Sequence, residues 1–229
     1  MNTHILVVED EFSIQKILEH ELEQEGFTVD VEDNGETGLA KGMSENYDVI
    51  LLDVMLPKKD GFTVCRELRE AGITSHIIML SARDDEFSRV HGLDVGADDY
   101  MTKPFSSKEI VAKIKALIRR KQTNLDINPS SKKSIQYKNI TINPEKFKAS
   151  VDDQKLELTM KEYELLTLFI ANKGRALTRN IMLDKLWGEN YFGETRVVDV
   201  HIFKLRDKLK AHNIEIKTVR GVGYMLEDE

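Results

Sequence analysis

Asp48 to Asp53 reads DVILLD, four consecutive apolar residues between two aspartates. A strand with one face in water alternates apolar and polar residues; a strand covered on both faces stays apolar throughout. The run is therefore a buried strand of a parallel sheet. His4 to Val8 (HILVV) and His76 to Leu80 (HIIML) are of the same kind, and Val29 to Val31 and Asp99 to Thr102 are shorter ones. Helical stretches fill the intervals. Ser13 to Gly26 carries Ile14, Ile17, Leu18 and Leu22 along one face, and Gly35 to Ser44, Thr63 to Ala71 and Asp85 to Gly92 follow. Ser106 to Arg120 is strongly amphipathic, with Ser106 as N-cap and Glu109 three residues later. Strands alternating with helices predict an α/β unit, a five-stranded doubly wound parallel sheet covered on both faces.

The pattern changes after residue 120. Residues 121–134, KQTNLDINPSSKKS, are polar and read as a linker. Short alternating stretches follow at Ile140/Ile142, Ala149/Val151 and Leu156/Leu158, with turns at Asn143-Pro144 and Asp152-Asp153. They predict a small antiparallel sheet. Three helices come next: one from Thr159, whose Glu162 completes a capping box, one from Thr178 to about Trp187, and one from about Thr195 to Lys210. Ile216 to Val219 and Tyr224 to Leu226, joined through Gly221 and Gly223, make a terminal hairpin. Sheet, three helices and hairpin predict an α+β winged-helix domain over 135–229, after a first domain over 1–120.

The 229 residues suit two domains. Cys65 is the single cysteine, which excludes an intramolecular disulfide framework and any multi-cysteine metal site. No apolar run approaches a membrane span, and no signal-peptide pattern is visible, so a cytoplasmic protein without membrane insertion is expected. The net charge of −7 hides a division. Residues 1–120 hold 14 Lys and Arg against 24 Asp and Glu, and the remainder holds 19 against 16. An acidic half joined to a mildly basic one predicts different partners for each. Thr195 to Arg220 is the most basic stretch, although charge alone marks it only as a solvated helix face.

In a parallel sheet, sites form at the carboxyl ends of the strands. Those ends carry Glu9-Asp10-Glu11, then Asp53, Ser81 and Lys103-Pro104. Any one of them is an ordinary loop residue or cap; the whole set is harder to explain that way. Clustered carboxylates repel and need a cation, and hard oxygen ligands suit Mg²⁺. A carboxylate can also act as a nucleophile and form an acyl phosphate, with a metal and a lysine neutralising the phosphoryl oxygens.

The first 120 residues resemble the receiver domain of bacterial two-component systems, of flavodoxin-like fold. VVEDE (Val7 to Glu11), LLDVMLPKKDG (Leu51 to Gly61), MLSARDD (Met79 to Asp85) and GADDYMTKPF (Gly96 to Phe105) carry the likeness. The second half resembles the winged-helix effector of the OmpR/PhoB subfamily through LTMKEYELL (Leu158 to Leu166), RVVDVHIFKLRDKL (Arg196 to Leu209) and TVRGVGY (Thr218 to Tyr224). The resemblance implies that Asp53 accepts a phosphoryl group. It gives Asp10, Glu9, Asp53 and the Met55 carbonyl to Mg²⁺, and Lys103 to the phosphoryl oxygens. It also implies a cis bond before Pro104. Ser81 stands where threonine is commoner, and Tyr100 is the aromatic that turns inward as Ser81 moves.

The resemblance further implies a sensor histidine kinase as phosphodonor and a switch in place of an enzyme. Activation gives a homodimer whose ion pairs fall on Arg89, Glu109, Asp98, Lys113, Asp99 and Arg120. Lys113 stands where arginine is common and cannot make the same planar bidentate pair. The helix from Thr195 is expected in the major groove of promoter DNA, with Arg196, His201, Lys204 and Arg206 as contacts and Thr218 and Arg220 in the wing. Phe203 occupies a position often basic. The loop Gly188 to Glu194 matches the segment that touches RNA polymerase, and Trp187 is expected in the core. Two other readings remain: a carboxylate-nucleophile phosphohydrolase, which Met55 argues against because that position often supplies a second aspartate, and a regulator that binds DNA without phosphate.

Overall fold

A computed structural model describes residues 3–82, 86–126, 134–144, 147–188 and 195–227; the side chains of residues 86, 87 and 119–126 are outside that description. Residues 127–133 of the expected linker and 189–194 of the expected polymerase loop also lie outside the described residues, as does the side chain of Arg120. The chain divides into two compact units, Met1–Ile118 and Arg119–Glu229.

The first unit runs β1 (His4–Val8), α1 (Phe12–Gln24), β2 (Thr28–Glu32), α2 (Gly35–Ser44), β3 (Val49–Asp53), α3 (Gly61–Glu70), β4 (His76–Ser81), α4 (Glu86–Asp94), β5 (Asp99–Thr102) and α5 (Ser107–Asp126). The five strands are parallel in the order β2-β1-β3-β4-β5. Side chains alternate across a strand, so each apolar run feeds both faces. Leu6, Val8, Ile50 and Leu52 join Leu39 of α2 and Val64, Cys65 and Leu68 of α3. Ile5, Val7, Val49 and Leu51 join Leu18 and Leu22 of α1 and Ile110 and Ile114 of α5. Each such burial contributes roughly 1.5–3 kcal/mol, which is why four-residue runs suffice to fix the sheet.

Helix α5 runs to Asp126, six residues into the segment expected as linker. Polarity suggests a break there, yet Arg119, Arg120, Lys121, Gln122 and Leu125 are good helix formers, and the first breaker is Pro129.

The second unit opens with a four-stranded antiparallel sheet of β6 (Ile135–Tyr137), β7 (Ile140–Asn143), β8 (Lys148–Val151) and β9 (Gln154–Leu156). Then come α6 (Met160–Ala171), β10 (Leu177–Thr178), α7 (Arg179–Leu186), α8 (Arg196–Lys210), β11 (Ile216–Val219) and β12 (Gly223–Leu226). The terminal hairpin gains a third strand, giving the order β10-β12-β11. β10 is only two residues long, too short to leave a periodic signal. The capping box of α6 is formed: Thr159 N donates to Glu162 Oε2 at 2.8 Å and Glu162 N to Thr159 Oγ1 at 3.4 Å. Tyr163, Leu166 and Phe169 of α6 are buried, as are Val198, Ile202, Leu205 and Leu209 of α8.

Candidate functional site

Strands β1 and β3 lie side by side, while the chain leaves them toward β2 on one side and β4 on the other. That reversal opens a crevice beyond their carboxyl ends. Glu9 and Asp10 follow β1, Asp53 ends β3, Ser81 ends β4 and Lys103 follows β5. Topology therefore gathers five residues scattered over 95 positions of sequence.

Lys103 Nζ donates to Glu9 Oε1 and to Asp53 Oδ2, each at 2.8 Å. Glu9 is fully buried, Asp53 is 4% exposed and Asp10 is exposed. Carboxylate oxygens of the three acids lie within 4.8 Å of one another. One ammonium thus faces three acids, and Glu9 Oε2 is buried with no hydrogen-bond partner among the described residues. A buried oxygen without a donor is costly, and a cation in the cluster would satisfy it. The donor set fits a hard divalent ion.

Burial pushes the Glu9 carboxyl up to about 7, against the opposing pull of Lys103, and Asp53 adds to the rise. Burial works against the Lys103 ammonium too, but its bonds to Asp53 and Glu9 prevail and hold it above the usual lysine range. Around these groups the backbone is close-packed. Met55 N donates to Asp53 Oδ1 at 3.3 Å, while the Met55 side chain is exposed. A Cβ on Gly61 would stand 2.0 Å from the Asp53 carbonyl oxygen, so the loop can fold back there only with glycine. The Lys103-Pro104 bond is cis, as expected.

Ser81 is fully buried, and its carbonyl accepts from Lys103 N at 2.6 Å. Tyr100 is inward and 8% exposed, packed among Met79, Ile77 and Ala97; a Cβ on Gly92 of α4 would come within 3.0 Å of its ring. A second acidic cluster, His4, Asp30 and Glu45, is already satisfied internally. Asp30 Oδ2 takes the Tyr47 hydroxyl at 2.6 Å and His4 Nε2 at 3.0 Å, and Lys41 stands 3.5 Å from Oδ1.

Three of the expected dimer positions are at the surface or half-buried: Arg89, Glu109 and Lys113. One needs correction. Asp98 is 1% exposed and accepts from Arg69 at 2.7 Å and from Ile77 N at 2.9 Å, so it braces the interior. Asp99 is 6% exposed and pairs with Lys113 of its own chain at 2.5 Å. Arg69 itself carries no sequence signal of a role. It closes the far end of the unit with further bonds to the carbonyls of Gly96, Ile73 and Ser75.

In the second unit Arg196 of α8 is exposed and Lys204 is half-buried. His201 needs correction as a DNA contact: it is 1% exposed, with its ring 5.5 Å from that of the buried Trp187. The helix turn that places Arg196 outward places His201 inward. Arg206 is half-buried and braces helix to wing, donating to Ile216 O at 2.7 Å and Thr218 Oγ1 at 2.8 Å. Its guanidinium lies 5.0 Å from the Tyr224 ring centre, and Arg179 lies 5.0 Å from the same ring. Tyr224 donates to Asp199 at 2.6 Å, and Asp199 also takes Arg179 at 2.7 Å. Arg206 and Thr218 are thus joined to each other, whereas Arg220 at the hairpin turn is exposed beside the open Gly221.

Comparison with known proteins gives the class. The response regulator receiver domain model matches residues 5–115, and the model of the C-terminal domain of transcriptional regulatory proteins matches residues 153–226. The alkaline phosphatase synthesis transcriptional regulatory protein PhoP of Bacillus subtilis is 45% identical, over all of this chain and 98% of its own. The response regulator ArlR of Staphylococcus saprophyticus is 44% identical over 98% of this chain and 99% of its own. Among solved structures, a RitR mutant aligns over both full chains with a TM-score of 0.80 at 29% identity. DrrB of Thermotoga maritima, an OmpR/PhoB homologue, aligns over 99% and 100% with a TM-score of 0.52 at 30% identity. A receiver joined to a DNA-binding effector is the class that fold and site define. The chain belongs to the response regulators of OmpR/PhoB type, whose members are transcriptional regulators of two-component systems.

Proposed function

We propose that Asp53 accepts a phosphoryl group from a sensor histidine kinase and that this acyl phosphate switches the chain into a dimer that binds promoter DNA. The observation that carries the reading is Lys103 Nζ bridging Glu9 and Asp53 at 2.8 Å each, beside the orphaned Glu9 Oε2. Glu9, Asp10, Asp53 and the Met55 carbonyl would hold Mg²⁺, which would supply charge neutralisation to the transferring phosphoryl group.

An Asp53 carboxylate oxygen forms the bond to phosphorus as the bond from phosphorus to the donor nitrogen breaks. Lys103 stays charged throughout and follows the phosphoryl oxygens, since Asp53 loses its own negative charge on acylation. The Ser81 hydroxyl donates to the same group, and Tyr100 fills the inward space against Gly92 and Met79. Chemistry stops at the chain's own Asp53, so the protein is a switch and turns over no substrate. The dimer uses the face of α4, β5 and α5, with Arg89, Glu109, Asp99, Lys113 and Arg120 as its ion-pair residues and Asp98 confined to the interior.

Arg196, Lys204 and Arg220 meet the DNA, and Arg206 with Thr218 holds the wing against α8. RNA polymerase meets the 188–194 loop, and the cytoplasm is where kinase, DNA and polymerase coincide. The test is DNA affinity before and after acetyl phosphate with Mg²⁺. Tighter binding after treatment supports the switch. Equal affinity with and without donor puts the constitutive reading in its place, and steady phosphate release from small esters puts the hydrolase there.

A further inference from the structure

The exposed face of α8 has an apolar centre. Phe203 is 70% exposed, an unusual state for a large aromatic on a helix whose other wide side chains are buried. At 100° per residue, Arg196, Val200, Phe203 and Asp207 share one stripe, and Val200 is half-buried beside Phe203 at i, i+3. Val197, Val198, His201, Ile202, Leu205 and Leu209 face the interior, so no core role is left for Phe203. Charge around it favours a polyanion on balance: Arg196 lies two turns before it and Lys204 follows it, Asp199 at i−4 is taken up by Arg179 and Tyr224, Asp207 at i+4 stands alone against them, and the second half of the chain is net basic while the first is acidic.

A helix entering the major groove meets one apolar group on the base edges, the thymine methyl, and Phe is one of the side chains that contact it. Two turns of helix span about 10 Å, within the width of that groove. Resting on the DNA-binding reading above, we propose that Phe203, with Val200 beside it, is a specificity-determining residue that packs on a thymine methyl in the operator. Arginine or lysine at that position would add a phosphate or guanine contact; phenylalanine exchanges that for discrimination of T from C.

The experiment uses the full chain with acetyl phosphate and Mg²⁺. Selection from randomised duplexes gives the preferred sequence, and each thymine in it is then replaced by deoxyuridine, which deletes only the methyl. The expected result is one thymine per half-site whose demethylation weakens wild-type binding about fourfold, the value of one buried methylene. In Phe203→Ala that weakening disappears, while the dependence of affinity on salt is unchanged because no charge was removed. Phe203→Ala sits on an exposed helical position and raises helix propensity, so the variant folds.

Uridine sensitivity that is absent in wild type, or equal in both proteins, overturns the proposal and leaves the DNA-binding reading standing. No DNA binding by either protein overturns both. A change of oligomeric state in Phe203→Ala without DNA assigns the patch to a second copy of the chain and overturns it as well.

Discussion

Arg69 NH2 lies 2.7 Å from Asp98 Oδ2, and the pair is almost sealed from solvent, at 10% and 1% side-chain exposure. Asp98 sits beside Asp99 in the sequence, and the two look alike there, yet the turn before β5 sends the first carboxylate inward to Arg69. Removing one partner of a buried pair leaves an uncompensated charge, which costs about 3–5 kcal/mol. Arg69→Ala is therefore expected to lower unfolding free energy in that range, measured by urea denaturation. Asp98→Asn in the Arg69→Ala background is expected to recover part of it. An additive double variant would show that the pair is not coupled.

Glu9 links pH to both stability and metal. Its carboxyl rises from the ordinary 4.5 to about 7 in the folded state. The native state therefore holds a proton that the unfolded state releases between those values. Its contribution is fully present below pH 4.5 and lost as pH rises through about 7, a change of about 3 kcal/mol in the metal-free protein. Magnesium binding runs the other way, since the ion competes with that proton. Apparent Mg²⁺ affinity is expected to fall about tenfold for each pH unit below about 7. Isothermal titration on either side of that value checks it, and Glu9→Gln should flatten the profile.

Surface and buried basic groups of the second unit separate by salt. A cationic side chain that neutralises one phosphate contributes roughly one to the slope of log affinity against log salt. Arg196→Ala and Arg220→Ala are each expected to lower the slope by that amount. His201→Ala is expected to leave the slope unchanged while lowering the thermal midpoint of the winged-helix unit, because the ring is packed against Trp187.

The parallel sheet is legible in the sequence because its strands are buried on both faces and announce themselves as unbroken apolar runs. The pocket is legible because strand ends in such a sheet converge by topology, so Glu9, Asp10, Asp53, Ser81 and Lys103 can be assembled without coordinates. Facing direction is harder. Arg196 and His201 lie on nearly opposite sides of α8, and the basic character of the whole stretch hides that difference. Asp98 and Asp99 need the partner Arg69, 29 residues from the first of them, before their roles can be told apart. Arg206 of α8 and Thr218 of β11 are paired across 12 residues by the packing of helix on hairpin, which no periodicity marks. The end of α5 escapes the sequence because polar helix formers and linker residues share a composition.

Everything in the proposed switch depends on Asp53 receiving the phosphoryl group. Intact mass after acetyl phosphate and Mg²⁺, beside Asp53→Ala, tests it most directly. One phosphoryl adduct on the wild type and none on Asp53→Ala is the predicted result. An adduct of equal yield on Asp53→Ala would contradict it.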